Sequence, residues 1–277
     1  MDTPEDIADH TEDWPVDTVA VGVTDGAHTI GLGGDPQWTT GVASVTKLFV
    51  AYAGLVALEE GSVTLDEAAG GREGSTVRHL LAHASGLPFD GDEPVAAVGS
   101  RRVYSNTGIE RFADHLAEQT GIPWADYVRE AVLGPLGMDS TELRGSPAHG
   151  ARSCVRDLLA FGRELLSPTL VGASTLATAT TPQFADLRGV VPGVGSFDPC
   201  PWGLGFEIVG DKTPHWTGSA NSATTFGHFG GAGTFLWVDP DAGLACAALT
   251  DREFGPWSLE VWPPFSDAVL DRYRSRT

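Results

Sequence analysis

Short β-rich runs at Val16 to Val23 and His28 to Leu32 flank Thr24-Asp25-Gly26-Ala27, and the pattern predicts a β-hairpin. At Ser44 the apolar spacing changes period, and a helix is expected over Ser44–Glu60, closed by Gly61. Further helices are expected over Thr76–His83, Asn106–Gly121, Pro123–Leu133 and Ser153–Leu166. The stretch from Pro168 to Pro201 is rich in Gly, Pro and Thr and reads as an irregular excursion. Strand character returns at Gly205–Val209, Thr224–His228, Thr234–Val238 and Leu244–Thr250. An amphipathic helix from Pro264 to Arg276 closes the pattern. Strands at both ends with helices between them predict an α+β fold. Its antiparallel sheet joins N- and C-terminal strands (about 16–60 and 203–277), and a mainly helical lobe (about 61–202) is inserted between them.

With 277 residues, 42% of them hydrophobic and 19% charged, the chain has material for one large globular domain, expected over 16–277. A formal charge of -20 argues against nucleic acid or anionic membrane as a partner. The opening stretch to Pro15 is acidic and has no apolar signal segment, so residues 1–15 are expected to form a disordered arm. Cys154, Cys200 and Cys246 are far apart and form no Cys-x-x-Cys pair, which points to reduced thiols and a cytoplasmic protein. The longest apolar run, Leu48 to Leu58, is too short to span a bilayer and reads as a core helix.

That run is preceded by Lys47, and Lys47 and Lys212 are the chain's two lysines among 17 basic residues. A chain that writes positive charge as arginine has a reason to place lysine where it does. Burial can discharge an amine, whereas a guanidinium stays charged. Ser44 lies three positions earlier, on the same helical face, where a neutral amine could take its proton and activate it as a nucleophile. Ser-x-x-Lys alone arises by chance about once in a chain of this size, so the pair needs partners.

Two stretches supply them. "VYSNTG" places Tyr104 and Asn106 around Ser105, and "FGHFGGAGTFLWVDP" places His228, Gly230 and Gly231 at the head of a strand. In this order Ser-x-x-Lys, Tyr-x-Asn and His-x-Gly resemble the serine β-lactamase and penicillin-binding-protein superfamily. More specifically the chain is similar to the class C β-lactamase-related serine hydrolases, a branch with esterases, D-aminopeptidases and acyltransferases. "TVRHLLAHASGLP", "YVREAVLGPLGMDST" and "WGLGFE" carry the resemblance along nearly the whole chain.

The resemblance implies Ser44 as nucleophile, with Lys47 and Tyr104 sharing the general-base role. It implies an oxyanion hole from the backbone N–H groups of Ser44 and Gly231, with Gly230 and Gly231 bordering the substrate. Asn106 would bind the acyl portion of the substrate or position Lys47, and His228 would donate to Tyr104 or to substrate. No cofactor and no metal are implied. Where β-lactamases carry Lys-Thr-Gly, this chain has His228-Phe229-Gly230, and Phe229 cannot offer a hydroxyl to a β-lactam's carboxylate. The expected partner is therefore a small-molecule ester or amide, ahead of a β-lactam or a D-alanyl peptide. His79 and His83 have the spacing of two metal ligands but lack the glutamate of a metalloprotease motif, and Ser85 lacks the glycines of a nucleophile elbow.

Overall fold

The computed structural model describes residues 3–274. After β1 (Glu5–Asp6) and a 3-10 turn at Ala8–Thr11, the expected hairpin forms as β2 (Val19–Thr24) and β3 (Thr29–Gly33). β4 (Thr40–Gly41) leads into a second 3-10 turn, Ala43–Val45, and then into α1 (Thr46–Glu59). α2 (Val77–Leu81), α3 (Asn106–Thr120) and α4 (Trp124–Val128) follow, α4 running on into a π-helical turn at Arg129–Leu133. Next come β5 (Glu142–Leu143), β6 (Ala151–Ser153), α5 (Val155–Leu166) and α6 (Ala173–Ala179). A hairpin of β7 (Gly189–Val191) and β8 (Gly195–Phe197) precedes β9 (Glu207–Ile208) and β10 (Phe226–Gly230). β11 (Thr234–Asp239), β12 (Leu244–Thr250) and α7 (Pro256–Tyr273) complete the fold.

The main sheet runs β1-β3-β2-β12-β11-β10-β9, so N- and C-terminal strands meet where β2 pairs with β12, Thr24 opposite Ala245. Side chains alternate across it as a strand requires. On β12, Ala245, Ala247 and Leu249 join the core beneath α1 and α5, while Leu244, Cys246 and Ala248 join a second core beneath α7. Small residues let α5 lie close: a Cβ at Gly162 would stand 2.9 Å from that of Ala245, and one at Gly22 would stand 2.7 Å from Leu159.

Three expectations change. The sheet is not purely antiparallel, because β1 joins its edge parallel to β3. The acidic arm is anchored over its described residues, 3–15, with Ile7 fully buried and the Trp14 ring edge-on to Phe265 at 5.3 Å, while Met1 and Asp2 lie outside the described residues. These two apolar side chains reach the core while Asp6, Asp9, Glu12 and Asp13 stay exposed and Glu5 pairs with Arg272 at 2.8 Å. Finally, α5 falls inside the span assigned to the helical lobe yet packs on β12 and β2.

Candidate active site

Ser44, the expected helix start, sits instead in the 3-10 turn before α1, which begins two residues later at Thr46, and Lys47 lies in the first turn of α1. The preceding Ala43 has φ 45°, a left-handed conformation that a side chain resists. Surrounding bonds impose it. Thr46 Oγ1 donates to the Ala43 carbonyl (2.6 Å), Val42 N–H donates to Ala151 (2.9 Å), and Thr234 Oγ1 donates to Val42 (2.9 Å).

The Lys47 side chain is fully buried. Its Nζ lies 3.1 Å from Ser44 Oγ, 2.7 Å from Asn106 Oδ1 and 2.8 Å from the Ala148 carbonyl. Burial lowers its pKa to about 7, against the opposing pull of Glu110 and Asp90. A neutral amine can give its two hydrogens to Asn106 and Ala148, which take nothing else from it, and turn its lone pair to the Ser44 hydroxyl. Asn106 in turn donates from Nδ2 to Asp90 Oδ1 (3.1 Å), which fixes the amide with its oxygen toward the lysine. Asn106 thus serves Lys47 and does not border the pocket above Ser44.

Asn106 opens α3, and the turn before it is pinned through Ser105. Its hydroxyl accepts from Gly108 N–H (2.8 Å) and donates to the Pro88 carbonyl (2.5 Å), and its N–H donates to His83 Nδ1 (3.2 Å). This holds the Tyr104 ring beside the lysine, Nζ standing 4.8 Å from the ring centroid. Burial raises the phenol's pKa, and hydrogen bonding toward Ser44 opposes the rise only in part, so Tyr104 keeps its proton. Lys47 and Tyr104 are therefore not equivalent: the amine is readily discharged and the phenol is not.

His228 lies on β10 with its Nδ1 2.6 Å from the Phe229 carbonyl. A carbonyl only accepts, so Nδ1 carries the hydrogen. Burial, with Lys47 nearby, lowers the ring's pKa to about 3 and keeps it neutral. The buried Nε2, which has no partner among the described residues, holds a lone pair. The expectation that His228 donates at the site is corrected: at Nε2 it accepts. Gly230 is also reassigned. A Cβ there would stand 2.2 Å from the Val42 carbonyl, so this glycine lets β10 close on the Ser44 turn. At Gly231 a Cβ would meet nothing within 4 Å, and Gly231 and Ser44 together border a cavity of about 240 Å³.

Phe89, Trp202 and Phe254 contribute aromatic walls to that cavity. Phe89 and Phe254 had no sequence signal beyond being aromatic, whereas Trp202 opens the "WGLGFE" stretch; its indole gathers near Tyr104, His83 and His228 at ring separations of 5.8, 5.0 and 5.7 Å. Behind Trp202 lies the second lysine. Lys212 Nζ pairs with Glu207 Oε1 at 2.9 Å, and His215 Nε2 reaches the same oxygen at 2.8 Å. Against the upward push of burial, Lys212 and His215 hold Glu207 well below the usual carboxylate range. His79 and His83 do not share a helical face, since α2 ends at Leu81 and His83 has φ 54°. Ser85 is buried away from the cavity, and all three cysteines are buried free thiols. No helix among the described residues is long and apolar enough to cross a membrane.

A family model described as Beta-lactamase matches residues 11–270. A crystal structure of a beta-lactamase (Mb2281c) from Mycobacterium bovis is 50% identical, covering 94% of this chain and 97% of that one with a TM-score of 0.92. A D-stereospecific amidohydrolase from Streptomyces shares the fold at 21% identity, covering 90% and 94% of the two chains with a TM-score of 0.69. The D-alanyl-D-alanine-carboxypeptidase/endopeptidase AmpH of Escherichia coli is 28% identical over 166 residues, and the match spans 44% of this chain and only 43% of AmpH.

Proposed function

Because the chain belongs to the beta-lactamase family of serine hydrolases, we propose that it hydrolyses an ester or amide through an acyl-enzyme formed on Ser44. The observation that carries this reading is the fully buried Lys47 amine, 3.1 Å from the Oγ of Ser44, which itself borders an apolar cavity.

Lys47, as the neutral amine, takes the Ser44 proton while Oγ bonds to the substrate carbonyl carbon. The resulting oxyanion meets the N–H groups of Ser44 and Gly231, two donors whose individual loss typically slows such a step by about 10²–10³. The C–O or C–N bond then breaks, and the leaving atom takes the proton back from Lys47 with the Tyr104 phenol as relay. Water repeats the sequence on the acyl-enzyme and releases the acid. Asn106 acts as a positioning residue for Lys47. His228, an acceptor at Nε2, holds a donor of Tyr104 or of substrate.

Ester and amide substrates rank above β-lactams on one point of geometry. Phe229 packs its ring 4.5 Å from that of Phe254, so the position that could steady a carboxylate beside His228 is occupied by stacked hydrocarbon. The test is a panel of p-nitrophenyl acetate, a D-amino-acid p-nitroanilide and nitrocefin. Steady turnover of the ester or anilide is expected, lost in Ser44→Ala and strongly reduced in Lys47→Ala and Tyr104→Phe. Full activity in Ser44→Ala overturns the assignment. Turnover of nitrocefin alone overturns the substrate ranking, and a burst without turnover favours an acyl-binding sensor.

A further inference from the structure

Beside the Ser44 cavity lies a larger one of about 690 Å³, and the two share Phe89, Tyr104 and Pro192. A volume of this size is what small-molecule sites usually offer. One of its walls is the β7–β8 hairpin, contributing Val190 and Phe197. That wall is tied to the site's own turn. Arg102, two residues before Tyr104, bridges to Gly189, and its N–H donates to the Arg188 carbonyl at 2.8 Å. The Arg102 guanidinium is buried and donates to the carbonyls of Cys200 (2.7 Å) and Gln183 (2.8 Å). The cavity is thus a braced extension of the catalytic pocket.

Its rim has two unusual features. Phe89, Val95 and Val190, each about half exposed (51%, 50% and 51%), are the large hydrophobic side chains left in solvent among the described residues. Phe89 and Val190 line this cavity, and Val95 is held by Arg101, whose guanidinium donates to its carbonyl at 2.9 Å. The second feature is charge. On a chain of formal charge -20, Arg101 and Arg188 both stand at this rim against the single carboxylate of Asp198. Exposed apolar side chains gathered beside a pocket mark a binding surface, and cations at its edge select an anion.

We infer that this cavity receives an apolar arm of the substrate and that the arm ends in an anionic group, such as a carboxylate, met by Arg101 and Arg188. The substrate class is then an ester or amide with an amphipathic, acidic arm of several carbons. This rests on the hydrolase reading of Ser44, and the two can be told apart.

Three p-nitrophenyl esters serve as probes: the acetate, the octanoate, and the mono-ester of suberic acid, which has the octanoate's carbon number but a terminal carboxylate. In the wild type kcat/KM is expected to rise from acetate to octanoate to suberate. Arg101→Ala/Arg188→Ala is expected to lower the suberate-to-octanoate ratio by about three- to tenfold, the size exposed ion pairs allow, and Asp198→Asn to raise it. Val190→Asp is expected to lower the octanoate-to-acetate ratio by about tenfold. Ratios within one variant cancel general damage to folding. Acetate turnover that depends on Ser44, combined with flat ratios across the series, overturns the subsite and leaves the hydrolase reading standing. If no ester turns over, calorimetric titration of Ser44→Ala with monomethyl and dimethyl suberate decides. Tighter binding of the anion, weakened in the double arginine variant, supports the subsite, and equal or absent binding overturns it.

Discussion

A lysine with no exposed surface must pair its charge or lose it, and Lys47 has only neutral oxygens within hydrogen-bond distance. Its pKa near 7 makes two predictions. The rate of acylation should rise about tenfold per pH unit below pH 7 and level off above it, as the amine loses its proton. Measured kcat/KM for p-nitrophenyl acetate that is flat from pH 5.5 to 8 would remove Lys47 from the base role. The second concerns stability. The ordinary lysine value is 10.5 and the folded value about 7, so between these the unfolded chain holds the extra proton and raising the pH favours the fold. The unfolding free energy of the wild type minus that of Lys47→Met should therefore climb with pH in this window, at up to about 1.4 kcal/mol per unit. A difference independent of pH would show that the amine keeps its ordinary pKa. The sequence carried Lys47 through lysine's rarity and its place three residues after Ser44, and Lys212 proves buried too. What it could not carry is the tautomer of His228, which depends on a carbonyl supplied by the neighbouring residue's strand geometry.

At the scale of elements, the close seating of β10 on the Ser44 turn depends on one glycine of an adjacent pair. Gly230→Ala drives a Cβ into the Val42 carbonyl and Thr234 Oγ1 (2.2 and 2.5 Å), both fixed by their mutual hydrogen bond, whereas Gly231→Ala meets open space. Gly230→Ala is expected to lower the unfolding free energy by about 2–4 kcal/mol, in the range of other overpacking and strain substitutions, and Gly231→Ala by under about 1 kcal/mol. Equal thermal midpoints for the two would refute the close approach. From sequence the two glycines look alike, because the Val42 segment that separates their roles is nearly 190 residues away in the chain. The long-period elements were legible: α1, α3 and α5 and the strands β2, β3, β11 and β12 fall within a few residues of expectation. The β7–β8 hairpin and α6 were not, since their Gly-, Thr- and Pro-rich stretches lack either period. α7 begins eight residues before the expected Pro264 because Trp257, Trp262 and Phe265 bury on one face, and that burial outweighs two internal prolines.

Across the whole molecule, the site lies where the two cores approach each other, and its back wall depends on a buried charge cluster. Trp202 lines the cavity beside Ser44, and Lys212 Nζ stands 6.0 Å from its ring. Lys212 is held by Glu207 and by the Pro201 carbonyl at 3.1 Å, so β9, the loop after it and the segment carrying Trp202 are joined at one point. Glu207 also accepts from Trp216 (2.5 Å), whose ring packs 5.7 Å from Phe229 of β10. A pair this deeply buried contributes little over a hydrophobic replacement, yet breaking it strands a charge. Glu207→Gln should therefore lower the unfolding free energy by about 3–5 kcal/mol. Glu207→Leu/Lys212→Met, which removes both charges, should regain most of that loss. If the double variant is as unstable as the sum of Glu207→Leu and Lys212→Met measured singly, the two side chains act independently, and the cluster does not brace the wall of the Ser44 cavity.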